Sequence, residues 1–397
     1  MKVRVDHKKR LDTIRQYLNE NNLKALATFE TYNVLYTSGF IMDTAFVERP
    51  FAAVIPAEGD PYMILCELST HSSRFTIEQG LCWIDDVVFY SEHPRVSKRL
   101  YTVKEWNRLF HEALAQRGLK GSIGVDSMSL ATSVATQTGG LQFVDCSGFI
   151  RDMRKIKSED ELDILRKCAQ ASDVGNEKFA EVFAEGKYHY EIELEVAKAV
   201  WKELIAKYGT DNYVGLNEYV MGSGPYVVAP HSAPGNAGRR LQKGDVVITG
   251  VFPRINGYSA ENEKTWFIGE PTQDQVKAFN VMKKATEACI EAAVVGNRWA
   301  DIDAAAQRVY EDAGYAEYIL HRTGHGKGLE GHEYPFDMAF NMEPLRPGMV
   351  SSAEPGIYIP ATGAFRFADN IIITTGKAEH VTSLKYKDLD RATIRRK

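Results

Sequence analysis

Apolar positions in the first half of the chain alternate between helical and strand spacings. The segment from about 7 to 21 has the i, i+3, i+4 apolar spacing of an amphipathic helix. Apolar runs follow in "KALATF" and "NVLYTSGF", and "RPFAAVIPAEGDPYMILCE" is divided by the turn residues "PAEGD" into a strand pair. "CWIDDVVFY", "GSIGVD" and "LQFVDC" predict further strands, and "VKEWNRLFHEALAQRG" predicts a helix. This alternation predicts an α/β N-terminal domain, a mixed sheet with helices packed against it.

The second half has its helices and strands in separate blocks. Ser158 and the acids after it are a helix-start signal, and a long helical pattern follows. A second helix, "EIELEVAKAVWKELIAKYG", precedes strand-rich sequence, and two more helices precede the final strands "GMVSSAEPGIYIP" and "FADNIIITT". Such blocks predict an α+β domain with a curved sheet covered by helices on one side. We place the N-terminal domain at 1–157 and the C-terminal domain at 158–397.

Composition narrows the possible functions. A chain of 397 residues with 44% hydrophobic content has enough apolar material for two cores. Its net charge is −5, and it has no basic block interleaved with aromatic residues, so no nucleic-acid partner is expected. No apolar run approaches the roughly 20 residues that span a bilayer, and no signal peptide is evident, so no membrane association is expected. Five scattered cysteines without a C-x-x-C pair indicate reduced thiols in a cytoplasmic protein.

Four stretches concentrate side chains capable of chemistry: "SGPYVVAPHSAPGN" with His231, "GYSAENEKTWF" with Glu261 and Glu263, "HRTGHGKGLEGHEYPF" with His325 and His332, and "SSAEPGIYIP" with Glu354. Glycines on both sides of His325 let a ligand approach closely. An acid in an apolar strand, such as Glu354, is costly unless a partner compensates its charge. His321 is interpreted as a structural hydrogen-bond former.

Four ordered motifs resemble the signature segments of the creatinase/prolidase (aminopeptidase P, pita-bread, M24) family. They are "GDVVITGVFPRINGYSAENEKTWF", "HRTGHGKGLEGHE", "LRPGMVSSAEPGIY" and "GAFRFADNIIIT". The resemblance covers the whole chain, because members of this family have a mixed-sheet domain before the pita-bread domain. It implies an α+β pita-bread fold for the C-terminal domain.

The resemblance gives an incomplete metal site. Prolidase-like members hold two divalent metals with two Asp, one His and two Glu. Carried over by position, the His falls on His325 and one Glu on Glu354, whereas the two Asp positions hold Gly250 and Glu261 and the last Glu position holds Ala368. Two carboxylates are too few to offset a bridged metal pair. A single weak metal held by Glu261, His325 and Glu354 is conceivable, but the prediction is that no metal or other cofactor is required.

A metal-free branch of the same family gives the leading functional prediction. The chain resembles creatinase in Phe252-Pro253 and in Glu263, and the resemblance implies that His231 is the acid/base while Glu263 and Glu354 grip a cationic guanidinium group. The predicted function is a metal-independent hydrolase that cleaves a C–N bond in a small guanidino or amidine compound. The predicted catalytic residues are His231, Glu263, Glu354, His325 and His332, and the predicted substrate-binding residues are Arg49, Glu261, Phe252, Tyr258, Phe336 and Arg366.

Two alternatives remain open. One is a metal-dependent Xaa-Pro dipeptidase or aminopeptidase with a reduced site, supported by His325, His332, Glu354 and Arg366. The other is a non-catalytic pita-bread module that binds a partner. The family counterpart of Arg49 reaches a neighbouring subunit's site, so a homodimer acting on a small-molecule substrate is expected. Trp201 is interpreted as a core or interface residue.

Overall fold

The chain divides into two compact units, one of residues 4–154 and one of residues 1–3 and 155–397. The computed structural model describes residues 1–42, 44, 46–91, 103–135, 140–383 and 385–396. Within those ranges, no helix combines the length and the apolar character needed to cross a membrane. The exact domain limits given above, with a boundary between 157 and 158, stay a prediction.

The N-terminal unit contains a mixed six-stranded sheet in the order β4-β3-β2-β1-β5-β6. Strand β2 is antiparallel to both of its neighbours, and the remaining pairs are parallel. The predicted α/β architecture is confirmed. The elements are α1 (His7–Glu20), β1 (Ala25–Thr28), α2 (Thr31–Ser38), β2 (Ala52–Pro56), β3 (Tyr62–Cys66), α3 (Thr70–Glu78), β4 (Asp86–Tyr90), α4 (Val103–Gln116), β5 (Ser122–Val125), α5 (Met128–Val134), β6 (Gln142–Asp145) and α6 (Ser147–Lys155).

Both faces of this sheet are covered by apolar side chains. Helix α1 begins where the side chain of Asp6 accepts from the backbone N–H of Lys8, and its apolar stripe buries Ile14 and Leu18. A second cluster contains the fully buried rings of Phe29 and Phe110, whose centroids are 5.6 Å apart. The apolar faces that the helical and strand spacings predicted are therefore buried in this unit.

The C-terminal unit has the α+β pita-bread architecture that the resemblance predicted. Its largest sheet has the order β16-β10-β8-β7, with β9 paired to β8, and two smaller sheets contain β11-β14-β15 and β12-β13. The elements are α7 (Glu159–Val182), α8 (His189–Tyr208), β7 (Val214–Ser223), β8 (Val246–Ile255), β9 (Tyr258–Ser259), β10 (Asn262–Ile268), α9 (Gln273–Ala292), α10 (Trp299–Asp312), β11 (Val350–Ala353), β12 (Gly356–Ile359), β13 (Gly363–Arg366), β14 (Asp369–Ile372), β15 (Glu379–His380), α11 (Leu389–Ala392) and β16 (Thr393–Ile394).

Strand β10 separates charged side chains onto two faces. Successive residues of a strand point to opposite faces, so Glu261, just before β10, and Glu263 share a face that Lys264 does not. The ammonium of Lys264 lies 2.9 Å from a carboxylate oxygen of Asp369, and both side chains are fully buried. Lys387 approaches the same carboxylate at 2.5 Å. Asp369 is therefore held in a structural ion cluster on the face of β10 opposite to Glu261 and Glu263.

Candidate active site

A cavity of about 530 Å³ opens on the Glu261 face of β10. Its volume lies in the range of small-molecule sites. Residues of β7 and β8, the segment 321–332 and the ends of β11 and β13 complete its wall. The charged residues of the wall are the acids Glu218, Glu261, Glu263 and Glu354 and the bases Arg254, Arg322, Lys327 and Arg366. The cavity wall therefore has equal numbers of acidic and basic side chains.

The histidine-bearing segment is held in place by backbone pairing beside β11. The N–H of Ser352 donates to the carbonyl of His325 at 2.8 Å, and the N–H of Lys327 donates to the carbonyl of Val350 at 3.1 Å. The hydroxyl of Ser352 also accepts from the N–H of His325 at 3.0 Å. This pairing fixes the position of His325 relative to the carboxylate that follows β11.

The glycines around His325 permit this close approach. A Cβ atom on Gly324 would clash with the backbone carbonyl of Ser352, and one on Gly326 would clash with the carbonyl of Tyr334. Because backbone atoms cannot move aside as a flexible side chain can, both positions require glycine. The "GHG" triplet thus lets the backbone pack tightly on both sides and leaves the imidazole directed at the site.

Three side chains converge around one point. His325 Nε2 lies 3.1 Å from Glu354 Oε1 and 3.6 Å from Glu261 Oε2, and the imidazole is fully buried. His325 Nδ1 is 2.9 Å from the carbonyl oxygen of Gly326. Because a carbonyl only accepts, Nδ1 carries a proton, and a neutral ring then presents the lone pair of Nε2 to two carboxylates. That arrangement is favourable when a cation lies between the three groups or when the ring itself is protonated.

The geometry fits one divalent cation. One ligand atom from each of Glu261, His325 and Glu354 lies within 4.8 Å of the others, and no other such group occurs in the part of the chain that the structure describes. Carboxylate oxygens and an imidazole nitrogen suit Mn²⁺ or Zn²⁺. Such an ion would lie between the two carboxylates and the Nε2 lone pair and would be attracted by all three groups.

A bridged pair of ions does not fit. Gly250 and Ala368 both lie opposite Glu263 in strand pairing, so all three positions share a face, and neither Gly250 nor Ala368 offers a ligand atom. A Cβ atom on Gly250 would also clash with the ring of Phe252, which therefore fills the space that a longer side chain would need. Of the three positions, Glu263 alone has a carboxylate, and Arg366 engages it.

Lys327 adds a fixed positive charge to the site. Its ammonium lies 3.0 Å from Glu261 Oε2 and 2.8 Å from the carbonyl of Gly331, and the residue is only 1% exposed. Sequence reasoning missed this residue, although its spacing was a usable signal. His325 and Lys327 are two apart in an extended segment, so their side chains leave the backbone on the same side. Glu261 consequently faces both a candidate metal position and a tethered cation.

Arg366 supplies the second fixed cation. Its Nε lies 2.5 Å from Glu263 Oε2, and both side chains are buried. Arg366 Nη1 donates to the hydroxyl of Tyr358 at 2.8 Å, and that hydroxyl is 2.7 Å from His321 Nε2. His321 Nδ1 faces the carbonyl of Arg322 at 2.7 Å and donates to it, so Nε2 accepts from Tyr358. This chain of hydrogen bonds fixes the guanidinium against Glu263.

The carboxyl groups and His332 experience different environments. Burial raises the pKa of Glu263, and the nearby Glu261 and Glu354 raise it further against the opposing effect of Arg366. Burial alone would also raise the pKa of Glu354, but the adjacent His325, His321 and Arg366 outweigh burial and lower it. Burial and the neighbouring His325 lower the pKa of His332 to about 4. Glu354 is thus ionised and His332 neutral near pH 7, and Glu263 is the carboxyl best placed to exchange a proton.

Most of the predicted site residues meet in this cavity. Its wall contains His231, Phe252, Glu261, Glu263, His332, Glu354 and Arg366. His325 lies behind His332, and their rings stack with centroids 3.8 Å apart.

Three predicted substrate-binding residues do not line the cavity. Tyr258 is buried, and its hydroxyl donates to Glu161 on α7 at 2.7 Å, which is a structural contact. Phe336 is 52% exposed. Arg49 belongs to the N-terminal unit, where it lies 2.6 Å from Glu48. Substrate contacts for these three residues stay predictions.

Comparison with known proteins identifies the family. Residues 163–375 match metallopeptidase family M24, and residues 10–156 match the creatinase/prolidase N-terminal domain. The chain is 31% identical over 370 residues to the probable dipeptidase PepE of Mycobacterium bovis, covering 92% of this chain and 91% of that protein. It is 24% identical over 375 residues to the Xaa-Pro dipeptidase of Pyrococcus furiosus, covering 94% of this chain and 98% of that protein.

A solved structure agrees with this assignment. The crystal structure of dipeptidase PepE from Mycobacterium ulcerans matches with a TM-score of 0.77 and 27% identity, covering 98% of this chain and 99% of that one. The chain therefore belongs to metallopeptidase family M24, and it is a hydrolase.

The prediction of a creatinase-type hydrolase acting on guanidino or amidine compounds is wrong. The relatives named above are dipeptidases, which act on peptide bonds. The prediction took the missing ligands at Gly250 and Ala368 as a sign that the remaining carboxylates bind a cationic substrate. In the structure, the cations beside Glu261 and Glu263 are the chain's own Lys327 and Arg366. These carboxylates are compensated internally and require no positive charge from a substrate.

Proposed function

We propose that this chain is a metal-dependent dipeptidase, active on Xaa-Pro and related dipeptides, whose site holds one divalent cation. The observation that carries the proposal is the convergence of Glu261, His325 and Glu354 in a cavity of about 530 Å³. The names of the relatives support the peptide substrate. The single cation follows from Gly250 and Ala368, which contribute no ligand.

The charge of the inner cluster supports a substrate with one carboxylate. When Glu263 is in the ionised form that can accept a proton, Glu261, Glu263 and Glu354 carry three negative charges, and Lys327 and Arg366 carry two positive charges. One divalent cation changes the net charge of this cluster from −1 to +1. A dipeptide is a zwitterion, and its C-terminal carboxylate, one residue from the scissile bond, is the end that the net positive charge of the metal-loaded cluster would attract.

The aromatic part of the wall suits a flat, apolar side chain. The rings of Tyr219 and Phe252 stack with centroids 5.4 Å apart and an interplanar angle of 23°. Both residues line the cavity beside Met221. A pyrrolidine ring can lie against such a surface, because its apolar face is removed from water there. This wall is the part of the site that would favour Xaa-Pro over other dipeptides.

The proposed mechanism assigns roles to three residues around the scissile bond. A divalent cation held by Glu261, His325 and Glu354 would supply Lewis acidity. Glu263, with its raised pKa, takes a proton from the attacking water and returns it to the departing nitrogen. Arg366 holds the Glu263 carboxylate in place through the ion pair at 2.5 Å. His231, exposed in the cavity wall, donates a hydrogen bond to the peptide carbonyl oxygen.

A substrate panel tests this function. We expect purified protein supplied with Mn²⁺ to hydrolyse Gly-Pro, Ala-Pro and Ala-Leu, and to lose this activity after dialysis against a strong chelator until Mn²⁺ is restored. Creatine and a cyclic amidine serve as controls and should not turn over. Undiminished dipeptide hydrolysis in chelator, or no hydrolysis of any dipeptide with Mn²⁺ present, would contradict the proposal.

A cytoplasmic location and a homodimer are also part of the proposal. All five cysteines are free and buried, which supports a reducing compartment. The proposed role of Arg49 at a partner's site can be examined by Arg49→Ala once turnover has been established.

A further inference from the structure

The basic side chains of the cavity wall are of two kinds. Lys327 and Arg366 are each paired with a buried carboxylate of the inner cluster. The hydrogen bonds that Arg254 and Arg322 make to other described residues go instead to backbone carbonyls and to a histidine ring. Such acceptors hold a guanidinium in position without cancelling its charge. Arg254 and Arg322 are therefore two fixed positive charges of the wall that are available to an anion.

Arg254 has one side of its guanidinium available. It lies on β8 two residues after Phe252, so both side chains leave the strand on the face that lines the cavity. Its Nη1 donates to the carbonyl of Leu329, in the segment 324–332, at 2.9 Å and to that of Gly257 at 3.0 Å. The two N–H groups of Nη1 suffice for these bonds, which leaves the side formed by Nε and Nη2. Two parallel N–H groups of this kind bind both oxygens of a carboxylate.

Arg322 is held against the same segment, 324–332. Its Nε donates to the carbonyl of Gly324 at 3.1 Å, and its Nη2 lies 3.3 Å from Nδ1 of His332. Because His332 is neutral near pH 7, its Nδ1 accepts this hydrogen bond and adds no charge. The two N–H groups of Arg322 Nη1 take part in none of these contacts. Both guanidiniums thus border one segment of the cavity wall, and each keeps donors for a ligand.

The remaining acid among the described residues of the wall, Glu218, offers only a partial charge. Burial and the neighbouring Glu193 of α8 raise the pKa of Glu218 to about 7. Near pH 7, about half of the Glu218 carboxyl groups are therefore protonated. The other acids belong to the inner cluster, where they face positive charges of their own. The two arginines therefore provide a surplus of positive charge that a substrate anion can meet.

We propose that Arg254 and Arg322 bind a side-chain carboxylate of the substrate, so that the preferred substrates are Xaa-Pro dipeptides whose first residue is Glu or Asp. This inference rests on the proposed function and adds the substrate class. The inner cluster accounts for the C-terminal carboxylate, and the stacked rings of Tyr219 and Phe252 account for proline. The acidic side chain that the arginines select is therefore that of the N-terminal residue. A neutral isostere such as Gln leaves both guanidiniums without a counter-charge, which disfavours it.

Paired substrates test this preference. In protein saturated with Mn²⁺, kcat/KM for Glu-Pro should exceed that for Gln-Pro at least about tenfold, because the two dipeptides have similar shapes and differ in charge. Arg254→Gln and Arg322→Gln should each lower this ratio at least about threefold, and the double variant should bring it to within about threefold of one. A purely structural role of the arginines would lower both rates and leave the ratio unchanged. Arg308→Gln, at an exposed position on α10, removes a positive charge elsewhere and should preserve the ratio.

Equilibrium binding separates this inference from the proposed peptidase activity. In protein freed of metal by a chelator, calorimetric titration should show that Glu-Pro binds at least about tenfold more tightly than Gln-Pro, and the double arginine variant should bind the two alike. Tighter binding of Glu-Pro without turnover of any dipeptide would contradict the proposed function and support the charge preference. Equal affinities of the wild type for the two dipeptides would overturn the inference. So would a KM that rises equally for both dipeptides in the arginine variants, because the arginines would then bind the C-terminal carboxylate that both share.

Discussion

Glu354→Gln should reduce kcat/KM for Ala-Pro and weaken Mn²⁺ binding, each by more than about a hundredfold. Glutamine keeps the shape of the side chain but removes the negative charge 3.1 Å from His325 Nε2. Groups that only support a metal ligand typically contribute 10- to 100-fold, so loss of a ligand should exceed that range. Calorimetric titration with Mn²⁺ measures the affinity, and initial rates measure the turnover.

The matched control for this variant is Glu311→Gln, which removes an exposed acid from α10. It should bind Mn²⁺ and hydrolyse Ala-Pro as the wild type does. Wild-type Mn²⁺ affinity in Glu354→Gln would exclude Glu354 from the ligand set. Normal turnover in that variant would exclude it from catalysis.

Lys327→Met should bind Mn²⁺ at least about tenfold more tightly than the wild type. The ammonium of Lys327 lies 3.0 Å from Glu261 Oε2, so it competes with an incoming cation for that carboxylate and repels it. At such separations, interactions between charges in a partly buried site reach several kcal/mol, enough for a change of this size. The methylene stem of methionine fills much of the space that Lys327 leaves, which limits the loss of packing.

Charge, and not side-chain volume, should decide the outcome at position 327. Lys327→Arg keeps the positive charge and should retain the weaker affinity of the wild type. A circular dichroism spectrum and a melting curve identify any variant that fails to fold. Unchanged or weaker Mn²⁺ binding in a folded Lys327→Met protein would show that the ammonium does not compete for the site.

Local sequence signals predicted the architecture well because they act over short distances. Ser158 and Glu161 form the reciprocal capping box expected at the start of a helix, and α7 begins directly after Ser158. The glycines around His325 were expected to admit a ligand, and in the structure the backbone carbonyls of Ser352 and Tyr334 lie against them. Alternation along β10, which entered none of the predictions, also places Glu261 and Glu263 on a common face.

The charge balance of the site could not be predicted in the same way. Lys327 pairs with Glu261 from 66 residues away, and the partner of Glu263, Arg366, comes from a different strand. Nothing in the spacing of either residue identifies its partner, because folding brings these segments together. Without those pairings the carboxylates seemed to need a cationic substrate, and that interpretation led to the wrong reaction class.

The most direct test is the number of Mn²⁺ ions bound per chain in protein that hydrolyses dipeptides. Protein saturated with Mn²⁺, passed through a desalting column and analysed by elemental mass spectrometry should contain one ion per chain, and Ala-Pro turnover should rise in proportion to occupancy up to that ratio. Two ions per chain at full activity, or full activity in protein that contains none, would contradict a peptidase site built for a single cation.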